Sequence, residues 1–297
     1  MNVIQCEQLS KSYGHRQILQ QVTCTIDGQK IVGVIGRNGA GKSTLFHLLA
    51  GHLKATSGIC KLFNQYPFNN IQTAANTIFI HDQLSFSNYL SLAEILTMAA
   101  DFYPNWQNDL AYRLLHHANI DLAMKHHQLS KGHRAIFNLV YGLVARCAFT
   151  ILDEPMNGMD EAIRQDFYRV ILKEYIAFPR TILIANHHLQ EMEPILEEII
   201  LLHEGKLVAH APVDTFKEQL IAVTGPSEEI AALFSQLNIY ARKELANIAT
   251  IIIDAKQLKM AEDVMQARGI TTAALSISDV SHYLTYKEGS DIDAIFD

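Results

Sequence analysis

The segment Gly36-Arg37-Asn38-Gly39-Ala40-Gly41-Lys42-Ser43 constrains this 297-residue chain more tightly than any other. It follows a compact apolar run, Lys30 to Ile35, that reads as a buried central strand, and it precedes a stretch predicted to be helical from Lys42 to just before Gly51. Gly-x-x-x-x-Gly-Lys-Ser in that strand-then-helix setting is a phosphate-binding loop. Glycines let the backbone turn tightly enough for its N–H groups to surround an anion, and the helix behind them points its positive end at the same place. Gly36, Asn38, Gly39 and Gly41 then shape the cradle, and Thr44 follows them into the helix. Lys42 reaches the β- and γ-phosphates, and the Ser43 hydroxyl can ligate Mg²⁺.

A second element, Phe149-Thr150-Ile151-Leu152-Asp153-Glu154-Pro155, is an apolar strand ending in two acids. On its own such a pair is commonly a solvated strand end. Downstream of a phosphate loop it places one carboxylate, Asp153, where it can hold Mg²⁺, and the next, Glu154, where it can orient or deprotonate an attacking water.

Around these motifs the chain alternates. Val3–Leu9, Ile18–Leu19 and Val22–Ile26 carry the period-2 pattern of half-buried antiparallel strands. From Asn88 to about Arg146 apolar residues recur at helical spacing, as in Leu110, Leu114, Leu115 and Ala118, which predicts a helical insertion. Thr181–Ala185 and Ile199–Leu202 are further apolar strands, and Glu204-Gly205 is a predicted hairpin turn. Alternating strands and helices predict an α/β fold with a mostly parallel core sheet, an antiparallel β subdomain and a helical subdomain at about 88–146. A boundary is expected near Leu220, giving domains 1–220 and 221–297. The second is expected to be a small α/β appendage: strand 221–224, helix 227–237 capped by Ser227, two strands, helix 256–268, a strand, and helix 278–285.

Hydrophobic residues at 49% and charged residues at 19% are ordinary for a protein with a real core, and a net charge of −7 argues against nucleic acid as the main partner. The most apolar stretch, Ala135–Leu152, is interrupted by Asn138 and Arg146, so no membrane-spanning helix is expected, nor a signal peptide at the N-terminus. A cytoplasmic chain is expected, with any membrane role supplied by a partner. The four scattered cysteines are expected to be reduced structural thiols.

With both motifs in place the sequence resembles the ATP-binding subunits of ABC transporters, over residues 1 to about 218, and further landmarks match in order. The resemblance makes Tyr13 the aromatic that stacks on adenine. It makes Gln83 the glutamine that reaches Mg²⁺ and the attacking water, and the opening of a segment that faces the membrane subunit. Asp160, in Asn157-Gly158-Met159-Asp160, becomes the acid that crosses a dimer interface, and His187 the histidine that contacts the γ-phosphate. Leu129-Ser130-Lys131-Gly132-His133 stands where the family has Leu-Ser-Gly-Gly-Gln; Ser130 and Gly132 are kept, Lys131 and His133 are departures. The variant signature and the stretch Tyr103-Pro104-Asn105-Trp106 are similar to those of bacterial exporter subunits for antibiotics or peptides.

The resemblance implies ATP and Mg²⁺ as cofactors. It implies a head-to-tail dimer with a second copy or a paralogous ATPase subunit, and a separate transmembrane permease that holds the chain at the inner face of the membrane. Gln83, Glu154, His187 and Lys42 would carry the hydrolysis. Two other readings remain: a soluble ABC ATPase acting on ribosomes or DNA, and a regulatory subunit that binds nucleotide without turnover. The adjacent histidine pairs 116–117 and 126–127 are expected on a solvated helical surface, because neighbours on a helix point about 100° apart and seldom chelate one ion. Trp106 is expected to be a packing anchor at a helix start.

Overall fold

The computed structural model describes residues 2–258 and 261–285. It divides into two compact units, Met1–His210 and Ala211–Asp297. In the first, β1 (Asn2–Tyr13) and β2 (Arg16–Asp27) lead to β3 (Ile31–Ile35), α1 (Lys42–Leu49), β4 (Ser57–Leu62), α2 (Ile71–Ala75) and β5 (Thr77–Ile80). A helical stretch follows, α3 (Leu92–Phe102), α4 (Asn108–His117) and α5 (Lys131–Val144). The chain then returns to strand at β6 (Phe149–Asp153), followed by α6 (Glu161–Ala177), β7 (Thr181–Ala185), α7 (Leu189–Met192), β8 (Glu198–His203) and β9 (Lys206–Pro212).

Two sheets carry this unit. The larger has the order β5-β6-β7-β3-β8-β9, and its first five strands are parallel. Strands β3, β6 and β7 are buried along their whole length, which is why each reads as an unbroken apolar run and not as an alternation. β9 closes the edge through the turn Glu204–Gly205, whose two residues have φ of 47° and 79°, the left-handed pair that matches hairpin twist. The smaller sheet, β2-β1-β4, is antiparallel, and its buried face packs with α1 and the larger sheet into one core that includes Ile4, Leu19, Phe46, Leu62 and Ile151.

That small sheet gathers three of the cysteines, which are free thiols as expected. Cys6 stands opposite Cys24 on one side and Cys60 on the other, so three thiols scattered in the sequence form a buried row across three strands. All four cysteines are free and buried. One expectation is corrected at His126, which is buried and not solvated; its Nε2 lies 2.8 Å from Asn138 Oδ1. His116, His117 and His127 are exposed. Trp106 stacks on Tyr103 at 6.0 Å and meets Tyr141 edge-on at 5.3 Å just before α4, a packing role.

The second unit contains α8 (Val213–Lys217), β10 (Leu220–Pro226), α9 (Ser227–Phe234), β11 (Ile239–Leu245), β12 (Ile248–Asp254), α10 (Glu262–Ala267), β13 (Thr271–Ala274) and α11 (Ile277–Thr285). Its sheet runs β11-β12-β10-β13 with every neighbouring pair antiparallel, the interleaved βαββαβ arrangement of ferredoxin-like folds. Ile230 and Phe234 of α9 and Met265 of α10 pack on Val223, Ile251 and Ile253, so this unit has a core of its own. Ser227 is the first helical residue and not the cap, a position held by Pro226. The helix expected over 256–268 is a short 3₁₀ turn at Ala255–Gln257 and then α10, with residues 259–260 outside the described set. The expected domain's last stretch, 286–297, also lies outside it. Among the described residues no helix is long and apolar enough to cross a membrane.

Candidate functional site

Four neighbouring parallel strands, β5, β6, β7 and β3, end on the same edge of the large sheet. Each delivers a different segment there: β3 the phosphate loop, β6 Asp153 and Glu154, β7 His187, and β5 Gln83. Ligands of open parallel sheets bind at this carboxyl edge, where the strands' last residues and the following helix starts converge.

The loop needs its glycines for two separate reasons. Gly36 has φ +149° and a Cβ there would come within 2.2 Å of the Leu202 carbonyl oxygen. Gly41 has φ +104° and a Cβ would meet Leu19 Cδ2 at 2.6 Å. Gly39 also has a positive φ, +81°, but faces open space. Lys42 is the first residue of α1 and is buried, and its ammonium folds back on the loop, donating to Gly36 O at 2.6 Å and approaching Arg37 O at 3.4 Å. Asn38 and Ser43 are exposed and Thr44 is half-buried.

Asp153 is buried at the end of β6, and Glu154 follows with φ 51°, a left-handed backbone that few side chains adopt. Hydrogen bonds from Glu154 N to Ala185 O (2.9 Å) and from Asn157 N to Glu154 O (3.2 Å) hold that turn. Glu154 Oε1 lies 3.1 Å from His187 Nε2 but out of line for a hydrogen bond, so the oxygen is buried with no partner. Burial raises the Glu154 carboxyl to about 7; Lys42 opposes that shift and Asp153 adds to it. Burial also lowers the Lys42 ammonium, against the pull of Glu154 and Asp153. The His187 imidazole is likewise lowered, by burial first and by Lys42 second, so it is neutral near pH 7. Lys42, Asp153, Glu154 and His187 therefore act on one another electrostatically as a single cluster.

The other expected residues stand apart from this cluster. Tyr13 ends β1 half exposed, with the Lys11 ammonium 5.0 Å from its ring centre. Gln83 is exposed on the segment after β5. Asp160 caps α6 by accepting from Ile163 N at 3.0 Å. Ser130 caps α5 by accepting from His133 N at 3.2 Å, and neither it nor Gly132 bonds to the cluster within one chain. Instead this helix start packs on the loop after Glu154: Lys131 Nζ donates to Asn157 Oδ1 at 3.1 Å, and a Cβ on Gly132 would lie 2.8 Å from Gly158 O.

Two supporting pairs escaped the sequence. Arg164 forms a bidentate pair with Glu191 at 2.8 and 2.7 Å and donates to Met159 O at 2.9 Å, tying the loop after Glu154 to the segment after His187. Asn186 Nδ2 donates to the Tyr168 hydroxyl at 2.8 Å, fixing the residue before His187. Neither pair has a local sequence signal, because its members lie 27 and 18 residues apart.

Comparison with known proteins finds ATP-binding subunits of ABC transporters. A family model described as ABC transporter matches residues 19–157. The ABC transporter ATP-binding protein YtrB of Bacillus subtilis (strain 168) is 28% identical over 221 residues, 74% of this chain and 76% of that one. The bacitracin transport ATP-binding protein BcrA of Bacillus licheniformis is 28% identical over 220 residues, 73% of this chain and 72% of that one. A solved ATP-binding subunit of an ABC transporter shares the fold, with a TM-score of 0.66, 22% identity and coverage of 73% of this chain and 92% of that one. Residues 19–157 carry an ABC transporter domain, and by motif and relatives the chain is similar to the ATP-binding ATPase subunits of that family, whose fold it shares.

Proposed function

We propose that Glu154 is the base of ATP hydrolysis in this subunit and that the energy drives a separately encoded membrane permease in export. The observation that carries the reading is the buried, unpartnered Glu154 Oε1 beside His187. A buried carboxylate oxygen with free lone pairs is costly unless something occupies it, and an attacking water is the occupant this chemistry requires. Raised toward neutrality, the carboxyl is poised to take a proton at physiological pH. Neutral His187 orients against the same water and the γ-phosphate, Gln83 approaches from the end of β5, and Lys42 takes up charge developing on the γ-phosphate. Tyr13 offers a half-exposed ring to adenine.

The donor set at the edge, the exposed Ser43 hydroxyl, the Asp153 carboxylate and the Gln83 amide oxygen, consists of hard oxygens and fits Mg²⁺. When bound with ATP the ion would neutralise the β- and γ-oxygens. Ser130 and Gly132, which make no bond to the cluster of their own chain, complete the nucleotide site of a second copy or of a paralogous ATPase subunit paired head to tail. Asp160 would cross the same dimer interface, as the resemblance implies. Export rests on the resemblance of the variant signature and of Tyr103-Pro104-Asn105-Trp106 to exporter subunits, and on the similarity to a bacitracin transport subunit.

Glu154→Gln tests the base. ATP affinity should stay within about threefold of the parent and turnover should fall at least about a hundredfold, since positioned acid–base groups contribute that much. Unchanged turnover would remove Glu154 from the mechanism. Vesicles containing the co-purified permease would then fix direction: uptake into inside-out vesicles on adding ATP means export.

A further inference from the structure

At the opposite end of the large sheet from the nucleotide site, where β3, β5, β6 and β7 begin, the first unit encloses a cleft of about 710 Å³. That volume lies in the range of small-molecule sites. Its walls are largely apolar, with Val3, Phe63, Tyr103, Cys147, Phe178 and Pro179 among them. Burial pushes the Cys147 thiol up to about 12, as a non-polar wall should.

Into these walls the fold sets two guanidinium groups against one carboxylate. Arg146 Nε and Nη2 pair with Glu174 at 3.0 and 2.9 Å, which uses both carboxylate oxygens. Its Nη1 makes no hydrogen bond to the described residues, and its side chain retains 17% exposure at the cleft. Arg180, 1% exposed, has no carboxylate of its own. It donates to Leu143 O and Phe178 O at 3.1 Å, to Thr150 Oγ1 at 3.3 Å and to Glu174 O at 3.5 Å. Carbonyls at the C-terminal ends of α5 and α6 offset part of that buried charge through their dipoles. A formal positive charge still remains in excess behind an apolar cleft, with one guanidinium nitrogen left free at its wall. No part of the ATPase chemistry uses these residues.

We propose that this cleft binds a small organic monocarboxylate, its apolar body against Phe63, Tyr103 and Phe178 and its carboxylate on Arg146. The Nε–Nη2 fork of Arg146 is spent on Glu174, so the ligand carboxylate takes the one free nitrogen, Nη1, in a charge-assisted hydrogen bond beside the Phe178 ring, over which the guanidinium already lies at 5.3 Å. A phosphate dianion is the poorer fit, because apolar walls would leave its remaining oxygens without donors.

Octanoate serves as the probe and octanol as the uncharged control of equal length, with the full chain. Tyr103 lines the cleft and stacks on Trp106, the chain's single tryptophan, so emission from Trp106 reports occupancy alongside calorimetric titration. Octanoate should bind saturably at one site per chain, octanol at least tenfold more weakly, and saturating Mg·ATP should not displace the octanoate. Arg146→Lys, which keeps a cation opposite Glu174, should weaken octanoate at least tenfold. Ala148→Phe, at an exposed position on the cleft wall, should abolish binding while leaving the thermal transition and ATPase rate unchanged. Absence of saturable binding overturns the proposal. So does equal affinity for octanol, displacement by ATP, or binding that survives Ala148→Phe. These readouts are independent of Glu154, so their failure is separable from failure of the hydrolysis reading.

Discussion

At the residue scale, Glu154 concentrates the strain and the chemistry in one position. Its left-handed backbone carries a penalty of about 1–3 kcal/mol, a size typical of functional outliers, and the surrounding turn holds it. Its carboxyl, raised by burial, is protonated below about pH 7 and is an effective base only above. The pH profile follows from that sign: kcat/KM for ATP should rise about tenfold per pH unit below pH 7 and level off above it, reporting the free enzyme. His187, with its pKa lowered, adds no opposing limb, since it gains its proton on the acid side where the rate already falls. A profile flat from pH 6 to pH 8 would show that the rate does not depend on this carboxylate. Residue identity was also where sequence adjacency misled. His126 and His127 sit side by side in the chain, yet one is buried on Asn138 and the other exposed. Meanwhile His47, His52 and His81, never neighbours in sequence, gather round Phe79 with ring centres 4.9–5.6 Å from it.

At the scale of the element, the start of α5 is the departure from the family pattern with a structural consequence. Lys131 ties this helix start to Asn157, and Gly132 leaves no room for a side chain against Gly158 O. The signature segment and the loop that follows Glu154 are thus in direct contact within one chain. Ser130→Ala removes the cap bond to His133 N, a loss worth about 1 kcal/mol of stability. If Ser130 also meets the γ-phosphate of a partner's nucleotide, the ATPase rate at saturating ATP should fall at least about tenfold, measured below the unfolding transition. A rate that stays within twofold of the parent would make Ser130 a helix cap and nothing more. Elements were legible in the sequence in proportion to how fully they are buried. β3, β6 and β7 were plain because a strand buried on both faces is an unbroken apolar run ending at its functional residue. β4 was missed, because Ser57 to Leu62 is mostly polar on its open side. Strand pairing left no mark at all, so the row of Cys6, Cys24 and Cys60 and the Arg164–Glu191 clasp emerged only with the fold.

Over the whole molecule, each of the two units has a core of its own among the described residues. The first combines the small antiparallel sheet, α1 and the large sheet; the second closes around Phe234, Ile251 and Met265. The order of elements after residue 220 was readable, and its interleaved sheet was not, since a βαββαβ chain can pair its strands in several ways. Every residue of the candidate nucleotide site lies in the first unit. A ligand stabilises only the cooperative unit to which it binds, by RT ln(1 + [L]/Kd), which is about 2.7 kcal/mol at a hundredfold excess over Kd. Scanning calorimetry of the full chain should therefore resolve two transitions, and Mg·ATP added to the hydrolysis-deficient Glu154→Gln variant should raise the one belonging to residues 1–210 by several degrees. Phe234→Ala should lower the other selectively, by about 3–5 kcal/mol, because it removes a nearly fully buried aromatic ring from the second core. If Mg·ATP instead shifts both transitions equally, or if only one is seen and Phe234→Ala lowers it whole, the two cores unfold as one cooperative unit, and nucleotide binding is energetically coupled to the C-terminal sheet.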